Sequence, residues 1–391
     1  MSLLFKPAAA ISLVFGSLAI LDFVKIETIE KNKVEQVAPK PPAPRIQVAV
    51  LLDVSNSMDG LINQAKAQLW NMVSVLGKAE CNQGTPQLEI ALYEYGRPDN
   101  GASRGYIRQI NGFITDLDQL SKNLFNLTTN GGLEYCGKVM YNALTEINWD
   151  TSSSSYKTIF IAGNEDFLQG DVSFSKACDE ARKRNVVVNT IYCGDRMQGI
   201  REHWNVGSEC GQGSYTNINQ NSRVDEIPTP YDSTLFVLND RLNATYIGYG
   251  SRAMAGAAQQ AEVDKLNMAY SQGVAARRVA VKGKKEIYSN GDWDLVDARK
   301  ADSTIISKVD MKTLPAELKH LSREQLKQHV DKKSREREQI QQEIAAVSNR
   351  RDAFIAEQKK KQATASNTPT LETEIEKIIR QQAGRFKMTF K

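Results

Sequence analysis

Asp53, Ser55 and Ser57 stand in a D-x-S-x-S run directly after an apolar stretch, Val48 to Leu52. One carboxylate and two hydroxyls are hard oxygen donors, the kind that suits Mg2+ or Mn2+. The same residues have a plainer use, since Ser57 or Asp59 at the start of a helix would cap its free N–H groups. Position favours the metal. The apolar run reads as a buried parallel strand, and an amphipathic segment follows at once. The polar end of such a strand lies at the carboxyl edge of an open α/β sheet, where these folds place their ligands.

The strand, loop and helix together resemble the opening of a von Willebrand factor type A domain, in which D-x-S-x-S begins a metal-ion-dependent adhesion site. The resemblance runs from Ile46 to Asn219. Leu88 to Tyr95 looks like the second strand and Tyr106 to Ile110 like the short edge strand. Thr158 to Ala162 and Val186 to Tyr192 look like the next two central strands. Trp204 to Ile218 looks like the last helix, a glycine turn and the final strand. The order of these pieces is more specific than any one of them. It implies a doubly wound, mostly parallel α/β sheet.

Two ligand positions depart from the family. Its Gly-Gly-Thr-like loop is matched by Thr128-Thr129-Asn130-Gly131-Gly132-Leu133-Glu134, with Leu133 where a hydroxyl is expected. Glu134, or Thr129 if the loop is shifted, is the available substitute. The family's Asp after the fourth strand is matched by Gly163 or Asn164, with Glu165 and Asp166 close behind. The expected ligand set is therefore Asp53, Ser55, Ser57, Glu134 and Asn164, holding Mg2+ or Mn2+ in a degenerate site. The alternative is a fold that keeps its first loop only as a capping network.

Catalysis finds little support. His203, His320 and His329 are the 3 histidines. None lies beside an apparent nucleophile loop, and neither a G-x-S-x-G nor a Walker-type loop occurs. Ser55 and Ser57 lack an adjacent base in sequence, which makes a nucleophilic serine a poor reading.

The rest of the chain sets the context. With 391 residues it exceeds one ordinary domain, and 41% hydrophobic content allows a real core. From Met311 to Lys391 there are 18 Lys and Arg against 11 Asp and Glu, a net of +7 within a whole-chain net of +4. Without aromatic interleaving or a base-reading module, this bias reads as a solvated helix face rather than a specific nucleic-acid site. Lys6 precedes an uncharged apolar stretch, Pro7 to Leu21, which reads as an export signal or an N-terminal anchor over residues 1–27. A proline-rich tether follows over 28–45. The expectation is an exported chain, periplasmic or secreted, or held at a membrane by its N-terminal segment.

There are 5 cysteines, none in a zinc-like spacing. Cys136 and Cys193 both belong near the carboxyl edge of the sheet, where they could pair or serve as buried small hydrophobes.

Beyond the type A region (46–220) come a helical and irregular extension (221–310) and a long charged helix with a short terminal one (311–391). Ser233 to Asn243 reads as a helix with Leu235, Leu238 and Leu242 on one face, and Ala253 to Arg278 as another. Trp293 and Val296 are expected to dock the extension onto the main domain. Ser322 and Gln325 make a capping box opening a helix that runs to about Gln362. Leu326, Val330, Ile340, Ile344, Val347 and Phe354 follow heptad spacing, interrupted by Lys333, Arg337 and Arg351. That seam suits a coiled coil through which the chain self-associates, or an antiparallel hairpin with a neighbouring helix. Asp331 with Arg335, and Glu357 with Lys361, are expected as exposed i,i+4 pairs. Leu371 to Gln382 forms the last helix.

The expected function is a non-enzymatic adhesion or protein-interaction module at the cell envelope. A partner protein's Asp or Glu carboxylate would complete the metal shell, as the family resemblance implies. The alternatives are a metal-free envelope scaffold acting through its helical tail and, last, an Mg2+-dependent hydrolase.

Overall fold

Parallel strands covered on both faces need unbroken apolar runs, and Val48 to Leu52 supply one, with Val48, Ala49, Leu51 and Leu52 buried and Val50 half-buried. A computed structural model describes residues 44–80, 85–221, 226–362, 371–386 and 388–390. The export segment, nearly all of the proline tether and Cys81 lie outside the described residues. Among the described residues no helix is long and apolar enough to cross a membrane.

In chain order, β1 (Arg45–Asp53) leads through a single 3-10 turn into α1 (Asp59–Leu76), followed by β2 (Ala79–Glu80), β3 (Gln87–Tyr95) and β4 (Arg108–Ile114). Next come α2 (Leu117–Phe125), α3 (Cys136–Glu146), β5 (Tyr156–Gly163), α4 (Phe174–Arg184) and β6 (Val187–Cys193). Two short helices, α5 (Arg196–Arg201) and α6 (Trp204–Cys210), precede β7 (Gln212–Ile218). The sheet order is β4-β3-β1-β5-β6-β7. Every pairing is parallel except the antiparallel edge β3–β4. Each strand implied by the type A resemblance is present, and β1 is central. The edge strand begins two residues later than its sequence suggested, at Arg108 rather than Tyr106.

β1 divides its side chains between two layers. Val48 and Leu52 face a cluster with Leu61, Trp70 and Val73 of α1. Ala49 and Leu51 face Val139, Met140 and Leu144 of α3, with Ala177 and Cys178 of α4. These opposite faces also settle the cysteines. Cys193 packs in the first layer and Cys136 in the second, so the sheet separates them and both are free and buried. The disulfide joins Cys178 to Cys210 instead, tying α4 to the end of α6.

The extension contains α7 (Asp232–Asn243), α8 (Ala253–Tyr270), α9 (Gln272–Lys282), α10 (Leu295–Ala301), α11 (Ile305–Lys308), α12 (Arg323–Gln362) and α13 (Leu371–Ala383). The single helix expected over Ala253 to Arg278 is broken at Ser271, whose backbone is extended and whose hydroxyl caps α9 through Val274 N–H at 3.0 Å. Trp293 and Val296 do not dock onto the main domain. Trp293 stacks on Tyr246 with centroids 5.5 Å apart, and Val296 joins a cluster with Leu326 and Val330 of α12. The extension docks instead through Val263, Val274, Val281 and Tyr288 in the first core layer and through Arg278, which is fully buried, bonded to Asp118 of α2 at 2.6 Å and lying over the Trp70 ring of α1 at 5.0 Å.

The capping box of α12 forms as its sequence implies, with Gln325 N–H donating to Ser322 Oγ at 3.2 Å and Ser322 N–H to Gln325 Oε1 at 2.8 Å. Its heptad face meets this chain's own helices. Ile340 and Ile344 pack with Leu235, Leu238 and Leu242 of α7, and Phe354 meets Tyr231. The charges that interrupt the face are neutralised there. Arg337 bonds Asp294 at 2.6 Å and Asp297 at 2.7 Å, and Arg351 bonds Asp232 at 2.7 Å. Asp331 pairs with Arg299 across the fold at 2.7 Å rather than with Arg335, while Glu357–Lys361 forms as expected.

The final helix is not a hairpin partner of α12. α13 returns to the sheet beside α1, where Ile375, Ile378 and Ile379 enter the first core layer. Gln382 bonds the Tyr156 hydroxyl of β5 at 2.8 Å and Asn189 of β6 at 2.6 Å. A short strand, β8 (Thr389–Phe390), then pairs antiparallel with β2.

Candidate metal centre

The carboxyl end of β1 delivers Asp53 into a fully buried position. The parallel register sets Tyr95, the last residue of β3, directly opposite it. Asp53 Oδ1 accepts the Ser55 N–H at 2.7 Å, which turns the chain back over the carboxyl group. Gly96 makes this packing possible. It has φ of +82°, and a Cβ there would sit 2.8 Å from Asp53 Oδ1 and 3.0 Å from Glu134 Cγ. Gly163 closes the other side, where a Cβ would sit 2.5 Å from the Tyr95 hydroxyl and 3.1 Å from Asp53 Oδ2.

The five expected ligand residues come together. Ser55 Oγ lies 3.4 Å from Ser57 Oγ, and Asn164 Nδ2 donates to Ser57 Oγ at 3.1 Å. Glu134 is buried, with its carboxyl beside the Asp53 carboxyl and the Ser55 side chain. Ser57 is exposed and Asn164 half-buried, so the group opens to solvent on their side. Asp53 Oδ2, Glu134 Oε2 and Asn164 Oδ1 are buried acceptors with no hydrogen-bond partner.

The plainer role for this loop is not the one adopted. The residue preceding α1 is Met58, and no side chain caps that helix; Asp59 is already its first residue. Thr129, the alternative ligand, donates its hydroxyl to Asp59 and stands apart from Asp53. Leu133 is 50% exposed, so its side chain leaves the site while the next residue enters it. Asp166 is held by His203 Nδ1 at 3.0 Å and by the Leu168 N–H at 3.0 Å.

Burial pushes the carboxyls of both Asp53 and Glu134 above the usual carboxylate range; the neighbouring Asp53 raises Glu134 further, the contact with Glu134 holds Asp53 lower than burial alone would, and Glu165 adds like charge to both. Near neutral pH the pair therefore retains a proton that two solvated carboxyls would have lost. Among the described residues no cluster of three or more His, Cys, Asp or Glu could hold an ion. Any cation here would rest on two carboxyls and neutral oxygens. That set fits Mg2+, which commonly keeps several waters and takes one or two carboxylates. The three unpartnered acceptors fit it as well, because each lacks a positive neighbour.

Sequence reasoning missed Tyr95 and Gly96. Tyr95 donates its hydroxyl to Ala162 O at 3.0 Å, bracing the β5 end against β3. The only sequence signal was their place at the end of the second strand, since the register opposite Asp53 is a property of the pairing.

No family model matches this chain, and no curated protein matches it. Among solved structures, proximal thread matrix protein 1 from the mussel byssus, in a form with a zinc-occupied MIDAS motif, is similar at 14% identity and TM-score 0.34. The likeness covers 45% of this chain and 42% of that one, so the mussel protein is matched over about two fifths of its length. An aerotolerance-related membrane protein from Bacteroides fragilis is similar at 14% identity and TM-score 0.32, covering 45% of this chain and 93% of that one. The SpRpn10 VWA domain is similar at 14% identity and TM-score 0.33, covering 46% of this chain and 91% of that one. The fold assignment rests on this chain's own strand order and on Asp53 at the end of its central strand.

Proposed function

We propose that this chain is a non-enzymatic adhesion or protein-interaction module of the cell envelope that binds a partner through a divalent cation. Asp53, Ser55, Ser57, Glu134 and Asn164 would hold Mg2+ or Mn2+. The observation that carries this reading is the set of buried, unpartnered acceptors Asp53 Oδ2, Glu134 Oε2 and Asn164 Oδ1 gathered with two hydroxyls. A bound cation would supply an open, electrophilic position for one carboxylate of a partner protein. Asp53 and Glu134 supply the negative charge, and cation binding displaces the proton they share. Ser55 and Ser57 contribute neutral oxygens, and Asn164 orients Ser57.

Binding rather than turnover is supported by the company the hydroxyls keep. Ser55 and Ser57 bond to each other, and Ser57 to Asn164, with no imidazole among their partners. Export, and anchoring by the N-terminal segment, belong to the same reading. The Lys6-to-Leu21 pattern and the Cys178–Cys210 disulfide support it. Titration calorimetry with Mg2+ and Mn2+, on wild type and on Asp53→Ala, tests the centre. Saturable heat lost in the variant is expected, and no heat from wild type at millimolar ion would sink the reading. A pull-down with and without chelator then tests whether the partner depends on the ion.

A metal-free envelope scaffold is the second reading. It is favoured by the absence of a third acidic ligand among the described residues, by the buried Arg278–Asp118 pair that ties the extension to the sheet domain, and by the buried Arg337–Asp294 pair that locks α12 into the extension.

A further inference from the structure

The mouth of the site is electrically lopsided. On the β5 side lie Glu165 and Asp166, and Glu165 already acts as like charge on Asp53 and Glu134. On the β3–β4 side, a cleft of about 600 Å³ is walled by Arg97, Arg104 and Arg108. The cleft adjoins the site through Arg97 and Thr128, which line it. Arg97 directly follows Gly96, where an added Cβ would press on both Asp53 and Glu134. Its guanidinium bonds Thr128 O and Oγ1, each at 2.9 Å, from the loop that ends in Glu134.

The free positive charge lies farther out. Asp99 balances Arg97 at 3.0 Å. The fully buried Glu94 balances Arg108, accepting from its Nε at 2.9 Å and from Asn100 at 3.1 Å, while the Arg108 side chain remains 57% exposed. Arg104 is exposed and ends the short turn Ala102–Arg104, and its side chain has no hydrogen bond or ion pair among the described residues.

We propose that this cleft receives an extended acidic segment of a partner protein. One carboxylate of that segment reaches the Asp53 site while others meet Arg104 and Arg108. The proposal rests on the reading of the site given above and adds the partner's chemistry and direction. A single acidic residue would satisfy the ion alone. A run of them is repelled by Glu165 and Asp166 and drawn toward the arginines, so the segment leaves the site across β3 and β4. Guanidinium groups also match carboxylates two bonds at a time, which gives the run a preferred path.

Fluorescence anisotropy with a labelled oligo-glutamate peptide, against an oligo-glutamine control, tests this in the full chain with magnesium present. Wild type is expected to prefer oligo-glutamate. Arg104→Glu is expected to weaken binding by about tenfold, a change of about 1.4 kcal/mol, while Arg104→Lys retains most of it. Arg108→Gln should weaken it too, and its melting curve reports whether Glu94 tolerates the loss. Binding of oligo-glutamate by Arg104→Glu and Arg108→Gln at wild-type strength overturns the proposal, as does equal affinity for oligo-glutamine. Asp53→Ala in the same assay separates the two readings. Loss in the arginine variants with Asp53→Ala unaffected keeps the cleft and removes the metal. Loss in Asp53→Ala with the arginine variants unaffected does the reverse.

Discussion

Asp53 and Glu134 reach the same point from opposite sides, one at the end of the central strand and one at the end of the loop before α3, and their buried carboxyls lie side by side. A buried carboxyl pair without a cation is costly when both groups ionise. The predictions begin from that cost.

Asp53→Ala should abolish Mg2+ or Mn2+ binding and leave the fold intact. Ser55→Ala should weaken binding less, because water can replace one neutral ligand. Calorimetric titration of both variants checks the order.

The carboxyl pair also sets a pH dependence in chelated protein. Asp53 is raised to about 6 and Glu134 to about 9. Groups raised in the folded state hold protons that the unfolded chain has released. Their stabilising contribution is complete below the unfolded carboxylate range and is lost as pH rises through 6 toward 9. The melting temperature of Glu134→Gln should therefore exceed that of wild type increasingly across this window. Saturating Mg2+ should shrink the difference. Parallel melting curves from pH 4 to 9 would refute the pair.

Leu133→Thr places a hydroxyl at the position where the family resemblance expects one. Leu133 is half exposed and Glu134 already occupies the site. The substitution should change stability by less than about 0.5 kcal/mol and metal affinity by less than about twofold. A marked tightening would mean that the loop turns the other way when the ion binds.

Arg337→Met should destabilise the protein by about 3–5 kcal/mol, because it strands the fully buried Asp294 without its cation. Urea unfolding of Arg337→Met against Arg337→Met/Asp294→Leu measures how much of that loss belongs to the orphaned charge.

Reduction should lower the melting temperature of wild type. The Cys178–Cys210 bridge closes a separation of 32 residues, and such a loop corresponds to about 2–4 kcal/mol. A Cys178→Ala/Cys210→Ala protein should show no response to reductant. An equal response in both would assign the effect elsewhere.

The sequence by itself determined whatever depends on neighbours along the chain. The Val48–Leu52 run and the polar residues after it gave β1 and its loop, since burial on both faces demands an unbroken apolar strand. Ser322 and Gln325 gave the start of α12, because a capping box satisfies N–H groups within one turn. The type A resemblance gave the succession of strands along the chain, and its expectation set Glu134 and Asn164 with the D-x-S-x-S loop.

Tertiary structure decided which groups meet across the fold. Periodicity marked Arg337 and Arg351 only as interruptions of a hydrophobic face. Their acceptors, Asp294 and Asp232, lie on other segments of the chain and carry no local signal of that role. The cysteine pairing turned on which face of the sheet each thiol occupies, and a shared edge says nothing about faces. The return of α13 to cover β5 and β6 was equally hidden. An amphipathic helix announces that it must bury one side, but not against what.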